Sequence, residues 1–270
     1  MRFLREARWR YADNWGPWIR YRTGLERARG EAARVLADLN RDGVAMTTVG
    51  ALLGEAGEWE ELRAAVEREE RERALEMAEA RKAAGEAGVK KGFLFDLLPE
   101  RPAEEGGNPY LRFGLQRPIR QVVNGYFGLC TRLQYYNVWH SFTTDAPPQR
   151  SQLWHRDQED YLVVKIFAYL SEVDEGAGPL SYARGTHPKG SVREQPEWFR
   201  EPGHGNRRST DEQMERVAPR ERWLTAVGPV GTVLFADTRG YHKGGYARTR
   251  DRLLYTAMFT SPAARVAGGG

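Results

Sequence analysis

SQLWHRDQEDYLVVKIFAYL, residues 151–170, decides the fold. Its second half, YLVVKIFAYL (161–170), is β-branched and aromatic and far too short to span a membrane, so it reads as a buried strand. Its first half, SQLWHRD (151–157), reads as a strand too and holds His155 and Asp157 two positions apart. Residues i and i+2 of a strand point to the same face, so an imidazole and a carboxylate stand side by side there. That arrangement suits a metal grip at a strand end. It also suits two polar residues at a solvated turn, because an Asp two places after a His is common by chance.

Outward from this stretch the chain has two textures. From about residue 108 it is aromatic and β-branched, broken by Gly and Pro. LCTRLQYYNVWHSF (129–142), GPLSYARG (178–185), GTVLFAD (231–237) and RLLYTAMFT (252–260) each read as strands. DAPPQ, DEGAGP, the segment 202–205 and RGYHKGG supply turns between them. Many short strands without intervening amphipathic helices predict a sandwich or barrel-like roll over 108–262. The polar segment 190–225 is long for a loop in such a roll and is expected to be a cover or insertion. Residues 1–92 read mainly as helix. GEAARVLADLNRDG has apolar residues at helical spacing and Gly43 as a stop; VAMTT is a short extended piece; and 49–85 is one long or broken helix. The whole, 1–270, is expected to be one domain: a mainly β core with a helical N-terminal layer.

Composition narrows the function classes. Of the 270 residues 41 are Lys or Arg and 37 Asp or Glu, interleaved as in EREERERALEMAEARKAAG rather than blocked. That is a solvated helix face rather than a nucleic-acid stripe, so no nucleic-acid partner is expected. One cysteine, Cys130, rules out an internal disulfide framework, fits a reducing compartment and is expected to be a buried small side chain. The stretch MRFLREARWRYADNWGPWIRYR has no continuous apolar core and no run elsewhere is long enough to span a bilayer. A cytoplasmic protein with no membrane partner is the expectation; the oligomeric state is not readable.

Five histidines are candidates for chemistry: His140, His155, His187, His204 and His242. Oxygen-activating iron(II) commonly takes two His and one carboxylate on one face of an octahedron, leaving the other face open. His155 and Asp157 supply two such ligands. His242 follows a strand and a turn, GTVLFADTRGY, and is the candidate for the third, against the alternative of a backbone-bonded turn histidine. His187 and His204 lie in Gly/Pro-rich loops and His140 ends a strand; all three are expected to be structural or wet.

With these pieces in order, the chain resembles the phytanoyl-CoA dioxygenase family of iron(II)/2-oxoglutarate-dependent oxygenases. The matching parts are WHRD (154–157), FAYLSEVDEGAGPLSYARGTHPKG (167–190), GTVLFADTRGYHKGG (231–245) and RTRDRLLYTAMFTS (248–261). Upstream, LNRDGVAMTTVGALLG looks like the family's opening helix-strand-helix. Two departures stand out: ARGTH (183–187) replaces the family's Pro-Gly-Ser-His turn, and Gly244 stands where a hydroxyl residue is usual.

The resemblance implies a double-stranded β-helix (jelly-roll, cupin-like) core. It implies Fe(II) held by His155, Asp157 and His242, with 2-oxoglutarate and O₂ as co-substrates. It also implies an Arg about ten residues after the distal His, gripping the far carboxylate of 2-oxoglutarate through two parallel charge-assisted bonds. Arg252 has that spacing; Arg250 shares its strand parity and Arg248 falls nearby in the loop. Asn137 and Tyr135, on the strand before the H-x-D pair, are further candidates to meet the co-substrate, against ordinary packing.

A carboxylate at 157 favours hydroxylation or another oxidation over halogenation, in which chloride takes that position. The expected substrate is a small molecule, such as one of secondary metabolism. Trp9, Trp15, Trp18 and Tyr21, with Trp198, Phe199, Arg200, Arg207 and Arg208, are expected to be lid elements or simply packing. Two other classes stay open: a non-catalytic β-helix protein binding a metal, and a cupin-like enzyme independent of 2-oxoglutarate.

Overall fold

The structure is a computed structural model that describes residues 2–24, 27–55, 57–84, 92–99, 107–200 and 207–264. Among them nine strands form two antiparallel sheets. In chain order they are β1 (Val44–Thr48), β2 (Leu94–Asp96), β3 (Arg132–Ser141), β4 (Val164–Tyr169), β5 (Leu180–Ala183), β6 (Trp223–Ala226), β7 (Thr232–Asp237), β8 (His242–Lys243) and β9 (Arg252–Thr260). The larger sheet runs β1-β7-β4-β9-β3-β2 and the smaller β6-β5-β8.

Strand alternation decides what each face of the larger sheet does. Val164, Ile166 and Ala168 of β4, and Tyr255, Ala257 and Phe259 of β9, are buried in one cluster with apolar residues of the helices. Those helices include Gly30–Asp42, Gly57–Glu72 and Arg117–Phe127. The alternate residues, Lys165, Phe167 and Tyr169 with Arg252, Leu254 and Thr256, face the smaller sheet and line a cavity. A second apolar cluster, with Leu234 and Leu254 on one side and Leu180, Tyr182 and Ala226 on the other, packs the sheets together.

The helix Gly30–Asp42 buries Ala32, Val35 and Leu39 and stops at Gly43, whose φ of +81° is left-handed. A Cβ there would come within 2.4 Å of the Tyr182 hydroxyl and 2.5 Å of His187 Nδ1, so only glycine fits between helix and sheets.

Four expectations need correction. Residues 151–157 are not a regular strand: a 3₁₀ turn, Arg150–Gln152, leads into isolated bridges from Trp154 to Ser209 and from His155 to His242. The segment borders β8, and beyond His155 its backbone leaves the ladder, the Asp157 N–H reaching the Thr238 carbonyl instead. Secondly, the expected β core opens with two helices, Pro109–Gly114 and Arg117–Phe127. Asn108 caps the first by accepting from the N–H groups of Tyr110 and Leu111, and Pro109 fits its first turn. The second buries Ile119, Val122, Val123, Tyr126 and Phe127, a helical period that its aromatics disguise as β texture.

Thirdly, the bound of the insertion at 225 cuts through β6. The 190–225 segment also carries the helix Asp211–Glu215, capped by a reciprocal Thr210–Gln213 pair, and is pinned where Ser209 pairs with Trp154. Fourthly, Cys130 is only partly buried. The expected helix over 49–85 is broken into Val49–Leu53, Gly57–Glu72 and Ala74–Ala83. No described helix is long and apolar enough to cross a membrane.

Candidate metal centre and co-substrate cavity

The ladder that carries β8 ends in a mutual bridge: the His155 N–H donates to the His242 carbonyl (2.9 Å) and the His242 N–H to the His155 carbonyl (3.0 Å). This pairing sets the two rings 4.3 Å apart between centroids. His155 Nδ1 is 2.9 Å from the Leu153 carbonyl and His242 Nδ1 3.1 Å from the Gly240 carbonyl. A carbonyl only accepts, so each Nδ1 carries the proton and each Nε2 keeps its lone pair. Metal-ligating imidazoles are oriented in this way.

Both lone pairs face Asp157. His155 Nε2 lies 3.9 Å from Oδ1 and His242 Nε2 3.9 Å from Oδ2. One ligand atom from each of the three residues falls within 4.8 Å of the others, a spread that one ion can gather. Burial, and then the neighbouring His242, pushes the His155 imidazolium down to about 3. Burial likewise holds His242 below the usual imidazole range. Two neutral imidazoles and a carboxylate are the donor set of a non-haem iron site.

Asp157 has an unexpected neighbour. Lys165 Nζ stands 2.7 Å from Oδ2, with the side chains only 15% and 11% exposed. The approach is an ion pair rather than an aligned hydrogen bond, and Oδ2 keeps no well-directed donor. Burial opposes both charges, yet Lys165 and the imidazoles hold the Asp157 carboxyl below its usual range, and Asp157 holds the ammonium above its own. A buried carboxylate oxygen without an aligned donor, flanked by two imidazole lone pairs, fits a divalent cation.

From this centre a cavity of about 190 Å³ runs between the sheets, lined among others by Tyr135, Lys165, Phe167, Tyr169, Leu254 and Arg252. That is far more room than the roughly 10–15 Å³ that holds one water. Register gives it two ends. Tyr135 and Lys165 both pair with Met258, whereas Ser141 pairs with Arg252 and Tyr169 with Leu254. Lys165 therefore marks the end at the candidate metal centre and Arg252 the far end.

Arg252 is 7% exposed and has no carboxylate in ion-pairing range among the described residues. It donates to the Gly178 carbonyl and, at 3.4 Å, to Ser141 Oγ, while its buried Nε has no partner. Burial lowers its pKa. The neighbouring carboxylate, Asp251, is taken by Arg81, His140 and the Thr143 N–H. Arg250 pairs with Glu172 at 2.6 Å and Arg248 with Asp145 at 3.7 Å, both about half exposed. A buried guanidinium facing a cavity without a carboxylate is a prepared anion site.

The remaining candidates separate. Tyr135 lines the cavity. Asn137 shares its face but is not part of the lining; its Nδ2 donates to Asp96 Oδ2 at 3.0 Å and its Oδ1 accepts from the Val138 N–H. Of the two readings of Asn137, this is the packing one: β2 lies alongside and Asp96 takes the amide. Gly244 does line the cavity, as does Thr256 on β9, whose buried hydroxyl has no partner.

His140 bridges Glu70 and Asp251, and His187 Nε2 donates to the Asn40 carbonyl near the end of the helix Gly30–Asp42, away from the cavity. His204 lies outside the described residues, as does the segment 202–205. Trp9 is buried against Phe127 and Tyr161, which is packing, while Trp15 is exposed. Lys165, Thr256 and Ser141 escaped the sequence reading; a lysine inside the apolar YLVVKIFAYL was the available signal for the first.

The phytanoyl-CoA dioxygenase (PhyH) family model matches residues 39–253. The chain belongs to the phytanoyl-CoA dioxygenase family. It is a 2-oxoglutarate-dependent non-haem iron oxygenase. No curated protein sequence matches it significantly. Similar solved structures include the epimerase SnoN in complex with Fe³⁺, α-ketoglutarate and nogalamycin RO, 17% identical over 89% of this chain and 91% of that one, with a TM-score of 0.54. EctD from S. alaskensis with 2-oxoglutarate and 5-hydroxyectoine is 15% identical over 87% and 78%, at 0.55. HygX from Streptomyces hygroscopicus with nickel and 2-oxoglutarate is 16% identical over 85% and 87%, at 0.53. At these identities the likeness is one of fold, and the two facing sheets are those of the double-stranded β-helix.

Proposed function

We propose that the protein oxidises an aliphatic carbon of a small molecule, hydroxylation being the simplest outcome, with His155, Asp157 and His242 holding Fe(II) and Arg252 holding the far carboxylate of 2-oxoglutarate. One observation carries the reading. The two imidazoles of a two-His, one-carboxylate cluster and a buried guanidinium without a carboxylate line the same cavity at opposite ends.

The bound metal and co-substrate would supply an oxidant able to take hydrogen from carbon, releasing succinate and CO₂. The chain's part is to bind and aim. The Leu153 and Gly240 carbonyls fix both imidazoles in the ligating tautomer. Arg252 fixes the dicarboxylate, with Thr256 Oγ1 and Tyr135 along its flanks. Phe167, Leu180 and Leu254 keep the cavity apolar between its charged ends, so that water is excluded. The segment 190–225, pinned by Ser209 and Trp198, would carry specificity above the metal end.

SnoN, an epimerase of the same fold, shows that such a scaffold also serves reactions other than hydroxylation. A small-molecule substrate of secondary metabolism and a cytoplasmic location complete the reading.

The test is anaerobic. Fe(II) and 2-oxoglutarate are added, and the visible charge-transfer band of the chelate is followed. The band is expected in the wild type, absent in His155→Ala, and in Arg252→Ala restored only at far higher 2-oxoglutarate. A folded, iron-loaded protein that shows no band would remove 2-oxoglutarate from the function.

A further inference from the structure

Lys165 is the charge in the cavity that the proposed function leaves over. Its ammonium is almost wholly buried, and among the described residues Asp157 is its only carboxylate within ion-pairing distance. Register makes this placement obligatory: Lys165 pairs with Met258 on β9, which pairs with Tyr135 on β3, and all three face inward with Phe167 and Tyr169. The Tyr135 ring, 5.9 Å from Nζ, stands over the ammonium.

Two cations then compete for one carboxylate. A metal approaching Asp157 meets an ammonium already 2.7 Å from Oδ2, and like charges at such range inside a protein repel strongly. Removing the ammonium leaves the opposite imbalance, a buried carboxylate with no counter-charge, which is costly until another cation arrives. Once a metal is seated, Lys165 and Arg252 are both cations lining one cavity, one at each end. That field favours a dianion lying between them.

We propose that Lys165 couples the two loading steps, opposing metal binding at Asp157 on its own and favouring the anionic co-substrate once metal is present. The proposal rests on His155, Asp157 and His242 being the metal site. Coupling is reciprocal, so 2-oxoglutarate must tighten metal binding more when the lysine is there than when it is not.

The experiment uses the full chain and Mn(II), followed by loss of the free-ion EPR signal, with and without 2-oxoglutarate. Wild type is compared with Lys165→Met, Lys165→Gln, Lys165→Arg and His155→Ala. Without co-substrate the two neutral variants are expected to bind Mn(II) about tenfold more tightly than wild type, with the arginine variant close to wild type. Addition of 2-oxoglutarate is expected to tighten Mn(II) binding less in the neutral variants than in wild type.

A lysine that merely props Asp157 gives the opposite sign: weaker Mn(II) binding in folded Lys165→Met, which overturns the proposal. Neutral variants that fold only with Mn(II) present support it; variants still unfolded at saturating Mn(II) overturn it. Mn(II) binding that survives in His155→Ala overturns the metal-site reading itself, a pattern distinct from a wrong sign at Lys165.

Discussion

Two buried carboxylates lie close together at one end of the roll, and they have opposite chemistry. Asp237, at the end of β7, is 0% exposed and has its oxygens filled by the protein: the Tyr126 hydroxyl donates to Oδ2 at 2.5 Å and the Arg239 N–H to Oδ1 at 3.0 Å. Burial pushes its carboxyl up to about 6. Asp157 is tied to the same turn, its N–H donating to the Thr238 carbonyl, yet its side chain faces imidazole lone pairs and an ammonium. Its carboxyl is held down. A buried acid whose lone pairs are met by protein donors belongs to the scaffold; one surrounded by acceptors and a lone cation is arranged for something the chain does not itself supply.

The sharpest way to break that contrast is to remove each acid in turn and titrate with metal. Asp157→Ala is expected to weaken Fe(II) or Mn(II) binding by at least about 100-fold, because a ligand is gone from the donor set. Asp237→Asn is expected to stay within about threefold of wild type in the same titration. Equal losses would mean that both acids act on the metal only through the fold.

The far end of the cavity offers the next comparison, between arginines two positions apart. Arg252→Ala is expected to raise the dissociation constant for 2-oxoglutarate about 100-fold, the loss typical of a buried, hydrogen-bonded charge, with metal affinity unchanged. Arg250→Ala removes only an exposed pair with Glu172 and is expected to change it less than about twofold. Isothermal titration of the metal-loaded proteins decides between them, and a large effect at Arg250 would move the anchor.

The ease of reading these residues from sequence follows from how local their determinants are. His155 and Asp157 were legible as a same-face pair, although the extended segment that holds them is only two bridges long rather than a strand. Arg252 was separable from Arg250 by spacing in the resemblance and by opening the strand read over 252–260. In the structure β9 begins at Arg252 as read, so Arg250 never enters the sheet. The two readings of Asn137 stayed open in the sequence because its partner, Asp96, sits on a strand far away in the chain. The two helices over 109–127 hid behind aromatic residues that suit either state. Lys165 was visible as a charge in an apolar strand, but its carboxylate partner was set by tertiary register, which one sequence does not display.

A smaller effect sharpens the contrast between the acids through pH. Asp237 holds its proton to about pH 6 in the fold, against an unfolded value near 3.9. Between those values the native state binds more protons than the unfolded one, so this group's contribution to stability falls as pH rises and is lowest above about 6. Asp157, held below its usual range, contributes stability above the unfolded value and loses it as pH falls further. Asp237→Asn removes the first dependence only. Relative to wild type it is expected to gain on the order of 2 kcal/mol between pH 4 and pH 7 in urea unfolding. A constant difference across that range would place the Asp237 carboxylate ionised throughout.

The smallest expected effect on binding belongs to Asn137, and it tests the line between scaffold and site inside the cavity wall. Asn137 is buried on the same strand face as Tyr135 and Trp139, which do line the cavity, so position alone would assign it to the co-substrate. Its amide is instead held by Asp96, which also accepts from the Leu98 N–H and so joins β2 to β3. Asn137→Ala is therefore expected to leave 2-oxoglutarate affinity within about twofold while lowering stability by about 1–2 kcal/mol, the cost of leaving a buried partner unmet. Asp96→Asn should reproduce part of the stability loss and none of a binding loss. A rise of tenfold or more in the 2-oxoglutarate dissociation constant in Asn137→Ala, at unchanged stability, would mean that the amide turns from Asp96 to the co-substrate when the cavity fills.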